Sequence, residues 1–594
     1  MRESTRASRW SSRALALLGA SLLAWAATAA CAYRFGAGDQ AQYLARYVQV
    51  ADPDALGADP YLAAFRAIGS LAWDPIALLV PERSLPAVAL ALTLLAAALS
   101  ALALASIARA MLPDRLTRTR AGVLVALAPA AALVVPKELN WFGLVSLSDT
   151  ELTASLLVMP IMLWSLAWYV RGRAWWSLAL LAAAVPVHGQ AAAWALAAWT
   201  LASAWERRTD ARRLFPVALI ALVGVIAFLV ARARAAVHPA SLDAYRDVGL
   251  RLYAPLIDPT HAPLSSWGSV LALLALGVIA FIGLRRLAPA TDRAHAASDR
   301  LALFAAASCL APAAATLALA AGIEDPLLWR LMPGRGLMLA QIAAVAAAAI
   351  FTAARLTEDR RTAWMPAAVL LTLIVWPFPS LPPLAAGLAL ASLLALLAIA
   401  ALTPVPADDA PARLAPLALP ALAALAIAVG AFVTREHPWL APAPDHAWLE
   451  TQRWARAHSA PATLFVTPPY RAGWRVESRR PTFGELRDGG LLFYAGAPAL
   501  AWADRMRALG MHSYAAAWTD DPPPDRLEPE RRAYAEALRA HAADWADAGV
   551  SYIVCEPDPA IGDLAVGRRV WTNGSYEIRE LADLTTLGSD DARP

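Results

Sequence analysis

The sequence contains little charge and almost no lysine. Of its 594 residues only 16% are charged, whereas 59% are hydrophobic, and Lys137 is the single lysine. A soluble protein normally carries about 25% charged residues. The net charge of +4 is small, and no basic stripe with interleaved aromatic residues occurs. These features exclude an ordinary soluble domain and give no support for nucleic-acid binding.

Cysteine is also scarce. Cys31, Cys309 and Cys555 are far apart, the first two in apolar segments and the third in a strand-like run. They have neither the spacing of a zinc site nor the pattern of a disulfide framework. Structural zinc and thiol catalysis are therefore not expected.

Long apolar runs are abundant, and a helix needs about 20 such residues to cross a bilayer. The runs are 14–33, 86–108, 121–136, 152–170, 174–188, 191–205, 214–232, 267–284, 301–322, 336–354, 363–378, 384–402 and 414–433. We therefore predict a polytopic α-helical membrane protein with about thirteen transmembrane helices. The first run, which follows several arginines, also has the features of a signal peptide. We interpret it as an uncleaved helix because the loop after it carries candidate functional residues.

Arginine clusters predict the orientation, because cytoplasmic loops are enriched in basic residues. The clusters follow every second apolar run and comprise Arg109, Arg115, Arg118, Arg120, Arg171, Arg173, Arg207, Arg208, Arg212, Arg213, Arg285, Arg286, Arg293, Arg300, Arg355, Arg360 and Arg361. This pattern predicts a cytoplasmic N-terminus. An odd number of crossings then places the C-terminal region outside.

Composition changes after Arg435, where the apolar runs end and Asp, Glu, Arg, Trp and Pro become frequent. We predict a transmembrane domain over 1–435, with a long first outer loop over 34–85. Residues 436–594 are predicted to form a small extracytoplasmic α/β domain.

Local patterns predict individual elements in these regions. Ala462–Thr467 and Val550–Cys555 are typical of short buried strands. Leu527–Ala548 is typical of an amphipathic helix that ends at Gly549. Gln40–Val50 is predicted to be a helix in the first outer loop.

Asp39 is the first candidate for chemistry, because it follows the first apolar run within the predicted outer loop. A carboxylate at a membrane surface is partly desolvated, which raises its basicity and suits removal of a proton from a hydroxyl. Asp39 also directly precedes a predicted helix, where aspartate is a favoured N-cap. General base and helix cap are both open interpretations.

Two sets of short motifs occur near opposite ends of the chain. They are Gly38-Asp39-Gln40-Ala41-Gln42-Tyr43 and Asp59-Pro60-Tyr61, then Trp454-Ala455-Arg456, Phe465-Val466-Thr467-Pro468-Pro469, Gly473-Trp474-Arg475 and Ser478-Arg479-Arg480. The first set resembles the first loop of the GT-C superfamily, membrane glycosyltransferases that use polyprenyl-phosphate-linked sugars. The second set resembles a domain of bacterial GT-C-like proteins. The resemblance implies a GT-C-like fold in the bacterial inner (plasma) membrane and an outer-face glycan, lipid or protein acceptor.

In this superfamily the first-loop aspartate acts as general base, or as a metal ligand in some branches. The resemblance therefore implies the base role for Asp39. Familiar branches carry a second acid beside it, whereas this sequence has Gln40. A divalent cation remains a candidate cofactor, with Asp149 and Glu151 as candidate ligands because such cations favour carboxylates. These two acids are also typical of the aqueous end of a span.

Arg335 is the leading candidate for binding the phosphate of a lipid-linked donor. Its guanidinium matches phosphate oxygens, and the flanking Gly334 and Gly336 permit close backbone approach. Arg330 is a second candidate for this role. The alternative for both arginines is interfacial snorkelling at the end of a span.

Three further polar residues are candidate substrate contacts. His188 and Gln190 separate two short apolar runs, where polar side chains are costly unless paired or facing a cavity. They would hydrogen-bond a phosphate or sugar, or line a tight turn. Asp59 would position an acceptor, or cap a helix that begins with Pro60. Arg475 is expected on a solvated, arginine-rich surface or in contact with glycan.

The leading hypothesis is a hexosyltransferase of the GT-C type. A transporter or lipid flippase is the main alternative, and it predicts broken or charged helices at the bilayer midplane and repeat-related halves. The sequence has few mid-span charges and no evident repeat. A third class is a catalytically inactive membrane protein whose outer domain binds a partner.

Overall fold

Helices dominate the part of the chain that the computed structural model describes. The described residues are 2–31, 33, 35–36, 40–52, 54–61, 72–117, 120–134, 137–138, 144–149, 151–206, 210–236, 264–287, 293–323, 331–358, 364–375, 383–402, 446–493, 496–511, 524–557 and 566–581. The α-helices are α1 (Arg2–Ala30), α2 (Gln40–Ala51), α3 (Trp73–Leu79), α4 (Leu85–Met111), α5 (Asp114–Thr117), α6 (Arg120–Ala132), α7 (Ala154–Val170), α8 (Ala174–Ala184), α9 (Gly189–Trp205), α10 (Asp210–Ala236), α11 (Leu264–Leu287), α12 (Arg293–Ala320), α13 (Pro333–Glu358), α14 (Trp364–Val375), α15 (Pro383–Leu402), α16 (His446–His458), α17 (Trp474–Ser478), α18 (Gly496–Ala508) and α19 (Pro524–Asp547). The strands are β1 (Lys137–Glu138), β2 (Leu144–Val145), β3 (Leu464–Val466), β4 (Val550–Cys555), β5 (Arg568–Thr572) and β6 (Glu577–Glu580).

Among the described residues, five helices are long and apolar enough to cross a membrane, judged by length and composition. These helices are Glu82–Met111, Ala211–Leu229, Val270–Leu287, Arg293–Ala320 and Pro333–Thr357. They are compatible with a helical membrane protein. Every predicted crossing from 14–33 to 384–402 overlaps a described helix, and 414–433 lies outside the described residues. The number of crossings stays a prediction, because helices such as α8, with 11 residues, are short for a bilayer.

The chain divides into two compact units. The first comprises Met1–Tyr33, Ala87–Val230 and Ala254–Leu440, and the second comprises Arg34–Pro86, Ala231–Tyr253 and Ala441–Pro594. The first outer loop of the sequence prediction therefore belongs with the C-terminal region. The sequence prediction groups this loop with residues 1–435, and that division into domains stays a prediction.

The first unit contains α13 as its most buried long helix among those described. The most apolar window of α13 is 94% buried, and its many alanines allow close helix packing. Gly277 and Gly283 of α11 pack closely against α13. A β-carbon added at Gly277 would lie 2.6 Å from Ala344 Cβ, and one added at Gly283 would lie 2.5 Å from Phe351 Cε2. Larger residues at these glycines would push α11 away from α13.

Charged side chains gather at one end of this helical unit. Arg300 Nε donates to Glu206 Oε1 at 2.7 Å, and Arg300 Nη1 donates to the Val170 carbonyl at 3.1 Å. Nearby, Arg285 pairs with Asp299 at 3.1 Å. These contacts join helix ends that the sequence predicts to share one side of the membrane. Which side faces the cytoplasm stays a prediction.

The second unit contains a four-stranded sheet among its described residues. Its strand order is β3-β4-β6-β5, with β3 parallel to β4 and the other neighbours antiparallel. Strand β4 occupies the span predicted for it, and α19 nearly matches the predicted amphipathic helix. Gly549 follows α19 with a φ of +88°, which favours glycine at the helix end. Tyr534 of α19 donates to the Val554 carbonyl at 2.7 Å and so fixes the helix on the sheet.

Candidate functional site

Asp39 lies outside the described residues, but residues on both sides of it have defined contacts. The Gly36 amide donates to Gln40 Oε1 at 2.6 Å, and Gln40 is fully buried. A β-carbon at Gly473 would lie only 3.0 Å from the Gly36 carbonyl oxygen. The described residues on the two sides of Asp39 therefore contact each other, and Gly36 packs closely on Gly473.

Helix α2 begins at Gln40, as predicted, and is mostly buried. Gln42 Nε2 donates to the Arg487 carbonyl. Tyr43 stacks on Trp73 with ring centroids 5.0 Å apart. The helix that directly follows Asp39 is thus held by both polar and aromatic contacts.

Asp59 belongs to a buried ion-pair network centred on Arg475. Arg475 Nε donates to Asp59 Oδ2 at 2.6 Å, and Arg475 Nη1 donates to Asp488 Oδ1 at 2.9 Å. Glu485 Oε1 lies 4.0 Å from the same Nη1. The side chains of Arg475 and Asp59 are 3% and 0% exposed. One guanidinium therefore joins a first-loop carboxylate to two carboxylates of the C-terminal region.

Backbone amides complete the hydrogen bonding of these carboxylates. Asp59 Oδ1 accepts from the Tyr61 amide at 2.9 Å. Glu485 accepts from the Gly473 amide at 3.0 Å and from the Trp474 amide at 2.8 Å. A buried charge is costly unless it is paired and hydrogen-bonded, and this network meets both requirements.

Burial and neighbouring charges shift the pKa values in the network. Burial, opposed by the Arg475 guanidinium and reinforced by the Asp488 carboxylate, raises the pKa of Glu485 to about 7. Burial also raises the pKa of Asp488. For Arg475, burial acts downward, but attraction to Asp488, Asp59 and Glu485 outweighs it and places its pKa well above the ordinary value. Glu485 therefore holds its proton more tightly in the folded protein than in the unfolded chain.

The effect of Glu485→Gln on stability is expected to be more favourable at pH 8 than at pH 5. The Glu485 pKa rises from an ordinary value of 4.5 to about 7 on folding, so the folded state binds more protons between these values. Stability then falls as pH rises through this window. Glutamine stays neutral but offers one accepting oxygen where Glu485 uses two, which costs stability at both pH values. We therefore expect the effect of the substitution to be more favourable at pH 8 than at pH 5 by on the order of 1–3 kcal/mol.

The measurement is thermal unfolding of the full chain in detergent at both pH values. Glu528→Gln is the matched control, because Glu528 pairs with Arg532 at the surface of α19. An equal effect of Glu485→Gln at pH 5 and pH 8 would contradict the assigned protonation.

The network changes the interpretation of two residues. Asp59 has no exposed side-chain surface, so in this structure it is out of reach of an acceptor, and it holds the first-loop segment instead. Arg475 is buried, whereas the sequence analysis expected it on a solvated or glycan-binding surface. Sequence reasoning missed Glu485 and Asp488 as its partners. The sequence signal that could have indicated this ion-pair network is the alternation of acidic residues with arginine and tryptophan in this region.

A second polar cluster lies in the first unit and brings together three candidates from the sequence. Arg335 Nη1 donates to Gln190 Oε1 at 3.3 Å, and the Arg335 charge acts on the His188 ring. His188 Nδ1 accepts from the Ala191 amide at 3.2 Å. In a neutral imidazole, Nε2 then carries the proton and is the nitrogen available to donate.

The cluster forms where two helix N-termini meet. His188 is the N-cap of α9, and Arg335 lies in the first turn of α13. Trp194 Nε1 donates to the Leu331 carbonyl at 2.6 Å. A β-carbon at Gly336 would lie 3.0 Å from the Trp194 ring, so glycine permits this close approach. Helix N-termini favour anions, and the guanidinium adds a full positive charge.

Among the described contacts, none links the remaining candidates to this cluster. Arg330 lies outside the described residues. Glu151 is buried and Asp149 is partly buried. Among the described residues, no group of three or more His, Cys, Asp or Glu side chains is arranged to hold a metal ion. Asp149 and Glu151 stay candidate ligands of a divalent cation.

Comparison with known proteins gives no family assignment: no protein-family model matches the chain, and no curated protein matches it.

Proposed function

We propose that this protein is a membrane glycosyltransferase that moves a sugar from a polyprenyl-phosphate donor to an acceptor on the outer face of the membrane. The proposal includes a GT-C-like fold with about thirteen crossings. It also includes an extracytoplasmic C-terminal α/β domain and a cytoplasmic N-terminus. The sugar-transfer class comes from the resemblance of the first-loop and C-terminal motifs.

The observation that carries the proposal is the Arg335 cluster. A lipid-linked donor presents an anionic phosphate at the membrane surface, next to an apolar chain. Arg335 offers a fork of donors at the meeting point of two helix N-termini, within a unit made of apolar helices. This combination suits a phosphate better than a neutral ligand.

In the proposed reaction, Asp39 accepts the proton of the acceptor hydroxyl as that oxygen attacks the anomeric carbon of the sugar. The bond from this carbon to the phosphate oxygen breaks, and its electron pair leaves with the lipid phosphate. Arg335, with His188 and Gln190 as hydrogen-bonding partners, stabilises the negative charge that grows on the phosphate. A single displacement of this kind inverts the anomeric configuration.

Arg335→Gln is expected to lower kcat/KM for sugar transfer by about 10²- to 10³-fold, because it removes a charge that stabilises the departing phosphate. Arg335→Lys keeps the charge but loses the fork, so its loss is expected to be smaller. The assay uses the purified full chain in vesicles, a labelled polyprenyl-phosphate hexose and a panel of acceptors.

Arg212→Gln serves as the control because Arg212 is exposed in the first turn of α10. Equal activity of the Arg335→Gln variant and the wild type would exclude the phosphate-binding role. Movement of the intact donor across the vesicle membrane without sugar transfer would favour the transporter class instead.

A further inference from the structure

Three arginines lie close together in the first unit, at the ends of α4 and α7 and the start of α8. Arg109, Arg171 and Arg173 are exposed, and Arg109 and Arg173 both lie close enough to Arg171 for their charges to act on it. Among the described residues, none of the recorded ion pairs supplies a carboxylate to any of them. Positive charges that lie close together repel one another, and an anion bound between them offsets this repulsion.

The surroundings of these arginines are typical of a membrane interface. The Arg171 and Arg173 guanidinium carbons lie 6.0 and 5.3 Å from the centre of the Trp168 ring. Trp175 and Trp176, at the start of α8, are 62% and 63% exposed. Tryptophan is enriched at the level of lipid headgroups, so this region suits the headgroup of a membrane lipid.

An open apolar groove of about 420 Å³ begins beside the same tryptophan. Its lining comes from α4, α7 and α8 and includes Leu95, Leu99, Ile161, Trp168 and Leu180. The α7 lining residues recur at helical spacing from Leu157 to Trp168, which is about 16 Å along the helix axis. That length and shape fit one acyl chain.

A smaller pocket of about 210 Å³ lies next to the groove and is lined in part by two of the arginines. Trp164 lines both spaces, and Arg109, Arg171 and Ser106 line the smaller one. Arg171 Nη2 donates to the Ser106 carbonyl at 3.2 Å. The Ser106 hydroxyl is buried and has no hydrogen-bond partner among the described residues. Besides the charged arginines, the pocket therefore contains an uncharged hydroxyl that is able to form a hydrogen bond with a ligand.

We propose that Arg109, Arg171 and Arg173 bind the phosphate of an anionic membrane phospholipid whose acyl chain lies in the groove between α4, α7 and α8. Charge complementarity selects an anionic headgroup, and the continuous apolar groove selects a lipid over a free phosphate. The site lies on the side that the sequence predicts to be cytoplasmic, and it is separate from the Arg335 cluster. It acts as a structural or regulatory lipid site whether or not the protein transfers sugar.

The test is native mass spectrometry of the lipid-stripped full chain, titrated with dioleoylphosphatidylglycerol or dioleoylphosphatidylcholine. The wild type is expected to bind the anionic lipid more tightly. The double variant Arg109→Gln/Arg171→Gln is expected to lose about 10-fold or more in affinity for it. Arg212→Gln/Arg213→Gln removes the same charge elsewhere on the predicted cytoplasmic side and is expected to retain binding.

A third variant, Leu95→Trp, tests the groove. Leu95 is 53% exposed, so a larger side chain there fills the groove without entering the core, and weaker lipid binding is expected. Equal binding of the two lipids would overturn the proposal, as would equal losses in the two arginine double variants. Competition by glycerol phosphate combined with unchanged binding by Leu95→Trp would show a free-phosphate site and would also overturn it. Unfolding temperatures measured without lipid identify any variant that is misfolded. If the double variant Arg109→Gln/Arg171→Gln is misfolded, Arg173→Gln is tested in its place.

Discussion

Asp39→Asn is expected to lower the turnover number for sugar transfer by about 10²- to 10⁴-fold, the usual contribution of a general base. Asparagine has nearly the same size and still caps a helix, but it does not accept a proton from the acceptor hydroxyl. Donor binding should remain, because the phosphate is assigned to Arg335. Single-turnover transfer and donor binding are measured on the same preparation.

Asp54→Asn is the matched control, because Asp54 is an exposed carboxylate of the same first-loop segment. It is expected to retain wild-type turnover. If Asp39 serves only as a helix cap, the Asp39→Asn variant will transfer sugar at the wild-type rate. That result would remove the base from the mechanism and leave the capping interpretation.

Arg475→Met is expected to destabilise the second unit by about 3–5 kcal/mol. The substitution leaves Asp59, Glu485 and Asp488 buried without their shared cation. Part of the penalty is relieved by proton uptake, which makes the loss smaller at low pH. Thermal unfolding of the full chain at pH 8 and pH 5 measures both effects, with an expected fall in Tm of about 10 °C at pH 8.

The same variant tests whether the network holds the first loop. Hydrogen exchange of Gln40–Ala51 is expected to accelerate in Arg475→Met. Arg507→Met provides the control, because Arg507 and Asp504 form an exposed pair with side chains 61% and 68% exposed, and such pairs contribute about 0–1 kcal/mol. Unchanged exchange in Arg475→Met would mean that other contacts hold this segment.

Helix positions could be read from the sequence, because an apolar run of bilayer length is a local signal. The start of α2 at Gln40 and the end of α19 before Gly549 were equally local, since capping depends on a few neighbouring residues. The same holds for β4. These elements could be predicted without knowing which residues pack against them.

The ion-pair network could not be read in this way. Asp59 and Arg475 are 416 residues apart, and no local pattern shows that they meet. A polar stretch containing several arginines is usually solvated, which is why Arg475 was expected on the surface. The pairing of Arg335 with Gln190, 145 residues away, is also long-range. Each residue was nevertheless a candidate for a local reason: Gln190 because of its costly placement between apolar runs, and Arg335 because of its guanidinium and flanking glycines.

The most direct measurement is transfer of labelled sugar from polyprenyl-phosphate hexoses by the purified full chain in vesicles, with Asp39→Asn run in parallel. We predict a labelled product of inverted anomeric configuration with the wild type and at least about 100-fold less with Asp39→Asn. If the wild type transfers no sugar from any of these donors to any acceptor tested, the proposed function is contradicted. If both proteins form equal amounts of product, the role of Asp39 as a base is contradicted.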